Sequence, residues 1–182
     1  MASTFAAILP SLSLIMLLSL SHLQAATPPP PPHPRPAPVL PTSARDFLAA
    51  HNAARAAVGV PPLTWSPKLS AAAVRTARLQ ARCQFANLTG SQYGANQMWS
   101  SGGGAAAPAP RAVVGKWVAE GKYYDHRSNT CASGHMCGVY TQVVWRKSGQ
   151  LGCGSATCVK DKASLTICFY DPPGNYVGES PY

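Results

Sequence analysis

Acidic side chains are scarce in this chain: six Asp and Glu stand against 15 Lys and Arg, a formal net charge of +9 over 182 residues. That balance excludes a cation-collecting surface and favours anionic partners, such as cell-wall polysaccharide, lipid headgroups or nucleic acid, or serves solubility alone. No recognised nucleic-acid-binding motif accompanies it, so nucleic acid is set aside. No Cys-x-x-Cys pair occurs, which argues against a zinc site. Gly-x-Ser-x-Gly is missing too, which removes the usual signature of a serine hydrolase. Gly102-Gly103-Gly104 opens a loop running to Pro110, but no Lys-Ser/Thr ending follows to cradle a phosphate. Nor does cysteine appear before Cys83.

The first 26 residues contain no charged side chain. Phe5 to Leu23 is an apolar run, and Ala25 and Ala26 are small residues of the kind found at a cleavage site. This reads as a signal peptide over 1–26. A retained membrane anchor is the competing reading, weakened by Pro10, several serines and His22 within the run. The remaining chain of about 155 residues suits one domain with a sizeable core.

Six cysteines follow: Cys83, Cys131, Cys137, Cys153, Cys158 and Cys168. An even number in an oxidising compartment reads as three bridges, and counting alone leaves every pairing open.

Residues 27–41 form a linker rich in proline, with Pro28 through Pro32 and then Pro34, Pro36, Pro38 and Pro41. Proline lacks an N–H donor and restricts its neighbour, so a stiff polyproline II stalk is expected, as a spacer or as a tether. The folded domain is expected over 42–182. Ser43 with Asp46 fits a capping box for a first helix, with Phe47, Ala50, Ala54 and Val58 on one face and Gly59 as its stop. Ser66 and Pro67 fit the cap and first position of a second helix, with Leu69, Ala72, Ala73, Thr76 and Leu79 inward. Arg75, Arg78 and Arg82 share a flank, as an anion grip or as a solvated face. A third helix is expected over 112–124. Composition favours strands at Val139–Trp145 and Leu165–Tyr170, with a further strand between Gly152 and Val159. Helices mostly first and strands mostly last give an α+β fold with an antiparallel sheet.

Several runs then carry a specific resemblance. They are His51-Asn52-Ala53-Ala54-Arg55, Val58-Gly59-Val60, Leu63-Thr64-Trp65, Trp117-Val118-Ala119-Glu120, Tyr140-Thr141-Gln142-Val143-Val144-Trp145-Arg146, Leu151-Gly152-Cys153-Gly154 and Asp171-Pro172-Pro173-Gly174-Asn175 with Pro181-Tyr182. In that order they resemble the plant pathogenesis-related protein 1 family of the CAP superfamily, which includes cysteine-rich secretory proteins and insect venom antigens. The resemblance implies an α-β-α sandwich around a central antiparallel sheet. It also implies the pairings Cys83–Cys158, Cys131–Cys137 and Cys153–Cys168.

It further implies a secreted, extracellular, apoplastic or wall-associated defence protein, antimicrobial, monomeric and not an enzyme. Such a protein binds sterol or another lipid through Trp117, Tyr123 and Tyr124. The alternative it implies is a precursor of a signalling peptide, Pro172–Tyr182, released at the Asp171–Pro172 junction. A metal-dependent hydrolase is the third reading.

The family's cavity holds two histidines and two glutamates, and this chain departs from it at three positions. Asn87 and Val139 stand where the histidines belong, and Ala95 stands where one glutamate belongs; Glu120 is retained. One carboxylate cannot supply the three or four ligands zinc needs, so no metal and no cofactor are expected. His135 could reach back toward the site, whereas His51 and His126 read as structural. Asn87 also opens the sequon Asn87-Leu88-Thr89, a candidate for glycosylation.

Overall fold

The computed structural model describes residues 40–80, 82, 84–101, 107–158 and 162–182. The expected signal peptide and the linker up to residue 39 lie outside them, as does Cys83.

Helix α1 spans Thr42–Ala57 and buries Ala44, Phe47, His51 and Arg55. Its inward stripe therefore runs through two polar residues, one step round from the expected 47-50-54-58 stripe. The capping box does not form. Pro41 is the N-cap and no side chain caps the helix. Asp46 instead lies 3.5 Å from Arg111 at the start of the third helix. Gly59 follows the helix with φ +69°, a conformation that glycine adopts without a Cβ penalty.

Helix α2, Pro67–Leu79, starts as its sequence specifies: Pro67 opens it and the Ser66 side chain accepts the Leu69 N–H. Leu69, Ala73 and Ala77 are buried, but Leu79 is 74% exposed. Two residues beyond Ala77 is a rotation of about 200°, which takes Leu79 off the inner face.

The sheet has four strands in the order β1-β5-β6-β2, with β1 Thr64–Trp65, β2 Gly94–Ser101, β5 Gln150–Cys158 and β6 Ala163–Asp171. The β2-β6 and β5-β6 ladders are antiparallel, and β1 joins β5 in parallel, so the sheet is mixed at one edge. Side chains alternate across it. Cys168 and Tyr170 of β6 enter one core with Phe47, Val113, Trp117, Val143 and Leu151, while Leu165, Ile167 and Phe169 enter a second core with Leu69, Ala73 and Ala77. Helix α2 thus covers one face. Helices α1, α3 (Pro110–Val118) and α4 (Gly138–Val143) cover the other, completing the α-β-α sandwich.

Gly152 and Gly154 allow α2 to sit directly on β5: a Cβ at either would come within 2.6 Å of the Ser70 or Val74 backbone nitrogen. Cys153 pairs with Cys168 across the β5-β6 ladder, and Cys131 with Cys137. Cys158 is also disulfide-bonded.

The segment Val139–Trp145 is the principal departure. Its β-branched composition reads as strand, yet Gly138–Val143 is helix α4. Tertiary structure overrides propensity here. Arg55, fully buried, lies where the last carbonyls of α4 emerge. Its Nε–H donates to Pro61 O at 2.7 Å. Nη1 donates to Val143 O at 3.1 Å and Trp145 O at 2.8 Å, and Nη2 to Arg146 O at 3.5 Å and Ser148 O at 3.0 Å. A guanidinium has five N–H donors and each finds a carbonyl. Carbonyls that would otherwise be orphaned at a helix end are taken by a cation, the charge sign that a helix C-terminus favours.

The third helix is also shorter than expected. It gives way at Ala119–Tyr123 to a 3₁₀ turn, which leads to the short hairpin β3 (Tyr124–Asp125) and β4 (Thr130–Cys131).

Replacing Arg55 with Leu should remove five hydrogen bonds, three of them to the buried carbonyls of Val143, Trp145 and Ser148, and lower stability by about 3 kcal/mol or more. Denaturant unfolding of the purified variant measures this, and an unchanged midpoint would show that the clamp contributes nothing.

Candidate functional site

Glu120 and Val139 meet where the 3₁₀ turn reaches the start of α4, and the Glu120 carboxylate accepts the Val139 N–H. Burial raises the Glu120 pKa above its ordinary 4.5, against the smaller lowering effect of that N–H. Its Oε2 atom is buried without a hydrogen-bond partner. The Val139 carbonyl accepts from Asn96 Nδ2 at 2.8 Å, so both backbone polar groups of the valine are engaged.

From Asn96 a polar chain runs inward. Its Nδ2 also donates to the Tyr170 hydroxyl at 3.1 Å. His51 Nδ1 lies 2.8 Å from the Phe47 carbonyl, which can only accept, so this nitrogen carries the proton. Nε2 then accepts from the Tyr170 hydroxyl at 2.8 Å. Burial, aided by the Arg55 charge, pushes the His51 pKa down to about 4, with the Phe47 contact opposing. Tyr170 is likewise pushed upward by burial. His51 is therefore structural: both ring nitrogens are spent on bracing α1 against β6 and, through Asn96, against β2 and α4.

The other expected positions lie apart. Asn87 is exposed in the loop before β2, and its Oδ1 accepts the Thr89 N–H at 3.0 Å within that loop. Ala95 pairs with Phe169 and packs on the α2 side of the sheet with Leu88 and Tyr93. His135 stacks on Tyr123 with centroids 3.5 Å apart, and Lys122 Nζ lies 4.7 Å from the same ring. His126 stacks on Tyr182 at 4.3 Å. Among the described residues, no group of three or more His, Cys, Asp or Glu is placed to hold a metal ion. With one carboxylate, an amide engaged in its own turn and two aliphatic side chains, the set does not fit a zinc ion.

Trp117 is not a surface residue. It is 4% exposed, packs in the main core and meets His51 edge-on, so it cannot present a rim to ligand. Tyr124 is half-buried, donating to Asn129 Oδ1 at 2.8 Å and facing Tyr140 and Tyr182. Arg75, Arg78 and Arg82 are exposed.

A different concavity escapes sequence inspection. A groove of about 410 Å³ lies between the start of α1, helix α2, strand β5 and the segment leading into α3. Phe47, Trp65, Val74, Pro108 and Pro110 line it, with Ser70 and Ser155 as its polar edge. These residues come from separate stretches of chain, and Pro108 with Pro110, at the start of α3, was the one local hint of a rigid wall.

Against known proteins, the cysteine-rich secretory protein family, CAP, matches residues 48–170. The chain belongs to that family. It is 53% identical to the STS14 protein of Solanum tuberosum over 169 residues, 90% of this chain and 78% of that protein. With pathogenesis-related protein 1A of Nicotiana tabacum it shares 50% identity over 141 residues, 77% of this chain and 81% of the relative. In structure this CAP domain is similar to BmVAL-1, with TM-score 0.64 at 22% identity over 79% of this chain and 83% of the other. It is also similar to Schistosoma mansoni venom allergen-like protein 4, with TM-score 0.59 at 26% identity over 79% and 95% of the two chains. A third neighbour, NaASP2 with Zn2+, scores 0.61 at 19% identity over 78% and 86%, a likeness of fold alone.

Because the folded pKa of His51 lies below its ordinary 6.5, the neutral ring is the one the fold accommodates. Its contribution is complete above about pH 6.5 and is lost as pH falls toward 4. Stability should drop by about 3 kcal/mol across that window. A His51→Gln variant, less stable at neutral pH, should show a flatter acid limb. Parallel pH profiles for the two proteins would exclude this role.

Proposed function

We propose that this CAP protein is a secreted, non-enzymatic defence protein of the pathogenesis-related 1 type that binds a sterol or another lipid in the groove beside α1. The groove carries the reading. Its volume falls in the range of small-molecule sites, and its lining is apolar with a few polar atoms at the edge, as a flat apolar ligand with one hydroxyl requires. The relatives' names support the defence role, and the disulfides suit an extracellular setting. The +9 charge and the exposed arginines of α2 suit approach to an anionic wall or membrane surface. We take the protein to act as a monomer outside the cell, in the apoplast or wall.

Catalysis is not part of the proposal. Glu120 is held by a backbone N–H and, among the described residues, joins no group of three or more His, Cys, Asp or Glu, so no catalytic role is proposed for it.

The second reading, a precursor of the peptide Pro172–Tyr182, rests on the resemblance of that segment. Its junction is less open than a free tail: Asp171 closes strand β6 and its carbonyl accepts the Gly149 N–H at 3.0 Å. Mass spectrometry of secretions separates the readings, since only the precursor generates a free fragment beginning at Pro172.

Titration of the mature protein with a labelled sterol and with a fatty acid should give saturable binding that a zinc chelator leaves unchanged. Ala109→Trp, which narrows the groove from an exposed position, should weaken binding at least tenfold. Binding that requires added zinc, or that ignores the groove variant, would refute this assignment. Exposed Asn87 should carry a glycan in the plant-secreted protein, seen as a mass decrease on enzymatic deglycosylation and absent from Asn87→Gln.

A further inference from the structure

The last eleven residues lie on the body in the manner of a bound peptide. Two anchors hold them. At the first, Ser148 Oγ donates to the Pro172 carbonyl at 2.8 Å and the Gly174 N–H donates to Gln142 Oε1 at 3.0 Å. Gly174 approaches so closely that a Cβ there would sit 2.6 Å from Trp145 and 2.8 Å from Gln142. Asn175 is bonded in both directions, donating to Gly138 O at 2.8 Å and accepting from Thr141 Oγ1 at 2.7 Å.

At the second anchor the Arg146 N–H donates to Pro181 O at 2.7 Å, and Pro181 is buried. Tyr182 stacks on His126, and its hydroxyl lies 3.0 Å from that of Tyr140. Lys147 and Asn129 reach Glu179, through its carboxylate at 2.8 Å and its backbone carbonyl at 3.1 Å. Between the anchors Tyr176 and Val177 are exposed, and the segment arches over a cavity of about 320 Å³ bordered by Tyr124, Thr141 and Trp145.

The partners on the body are fixed by other means. Arg55 holds the carbonyls of Val143, Trp145, Arg146 and Ser148, and the Cys131–Cys137 bridge ties the β3-β4 hairpin to the start of α4. Neither depends on the covalent link between Asp171 and Pro172. Proline has no N–H to donate, so cutting that bond costs no hydrogen bond made by Pro172 nitrogen. Hydrolysis adds one water and leaves a carboxylate on Asp171 and a secondary ammonium on exposed Pro172, two charges that solvent can reach.

We propose that the folded body is a receptor for its own C-terminal segment. The groove along α4, the loop Trp145–Ser148 and the β3-β4 hairpin binds residues 172–182 as a ligand. A chain severed after Asp171 therefore stays a two-part complex until the segment is competed away. The proposal holds whether or not the plant makes that cut.

The test uses the full mature chain with a site-specific protease sequence, flanked by Gly and Ser, inserted between Asp171 and Pro172. After native cutting, gel filtration and mass spectrometry should find the segment with the body. A large excess of synthetic 172–182 peptide should then exchange it out, and Tyr182→Ala or Gln142→Ala in the same cut protein should speed its loss at least tenfold. Elution of the free segment from a folded body overturns the proposal. So does collapse of the body's circular dichroism on cutting, because the groove must stand without the link. Failure here leaves the precursor reading untouched, since that depends only on whether secretions contain the fragment.

Discussion

A single buried cation organises one end of this molecule. Arg55 projects from α1 into the protein, where its hydrogen bonds among the described residues all go to backbone carbonyls and burial lowers its pKa to about 10, leaving it charged at neutral pH. A bare guanidinium there would be prohibitively costly, and what offsets the cost is a ring of backbone carbonyls from Pro61 and from Val143 to Ser148. The arrangement works in both directions, because those carbonyls have few other donors. Helix α4 is six residues long and could not hold its shape in isolation, so Arg55 at its end, the core beneath it and the Cys131–Cys137 bridge at its start fix its position.

Much follows from where α4 sits. It delivers the Val139 backbone to Glu120 on one side and to Asn96 on the other. It turns Gln142 and Thr141 toward the C-terminal segment. Ser148 joins the two systems, its carbonyl on Arg55 and its hydroxyl on Pro172. The Glu120 pocket belongs to the same scaffold and offers a partly buried carboxyl that, among the described residues, is joined to no metal-ligand set. The apolar groove beside α1, about 410 Å³, is the site the proposal gives to a lipid.

The legible parts of the fold were those whose cause is local. Ser66-Pro67 opens α2 because a hydroxyl and a ring that lacks an N–H meet the needs of a helix start within four residues. Strand β6 was visible from composition, β5 as the stretch around Cys153 and Cys158 between two β-rich runs, and Gly59 from its position after a helix. Failures cluster where distant residues decide. Ser43 and Asp46 form a cap pattern on paper, but the helix begins at Thr42 with Pro41 as its N-cap, which puts Ser43 inside the first turn. The stripe of α1 was read in part: Phe47, Ala50, Ala54 and Val58 do pack on the core, but a buried His51 and Arg55 look like surface residues until their partners, Tyr170 and five carbonyls, are known. Trp117, grouped with Tyr123 and Tyr124 by the family resemblance, lies in the core, in keeping with its place on the inner face of its helix.

Sequence alone determined the family, the helix that Pro67 begins, the two long strands, and that Asn87, Ala95 and Val139 carry neither imidazole nor carboxylate. Each of these depends on the identity of a residue or of its near neighbours. Only the tertiary structure decided that Val139–Val143 is helix, that the apolar concavity lies beside α1, and that the tail is held at both ends. Those outcomes depend on hydrogen bonds and packing between segments up to about a hundred residues apart, and such partners have no signature in a linear chain until the fold brings them together.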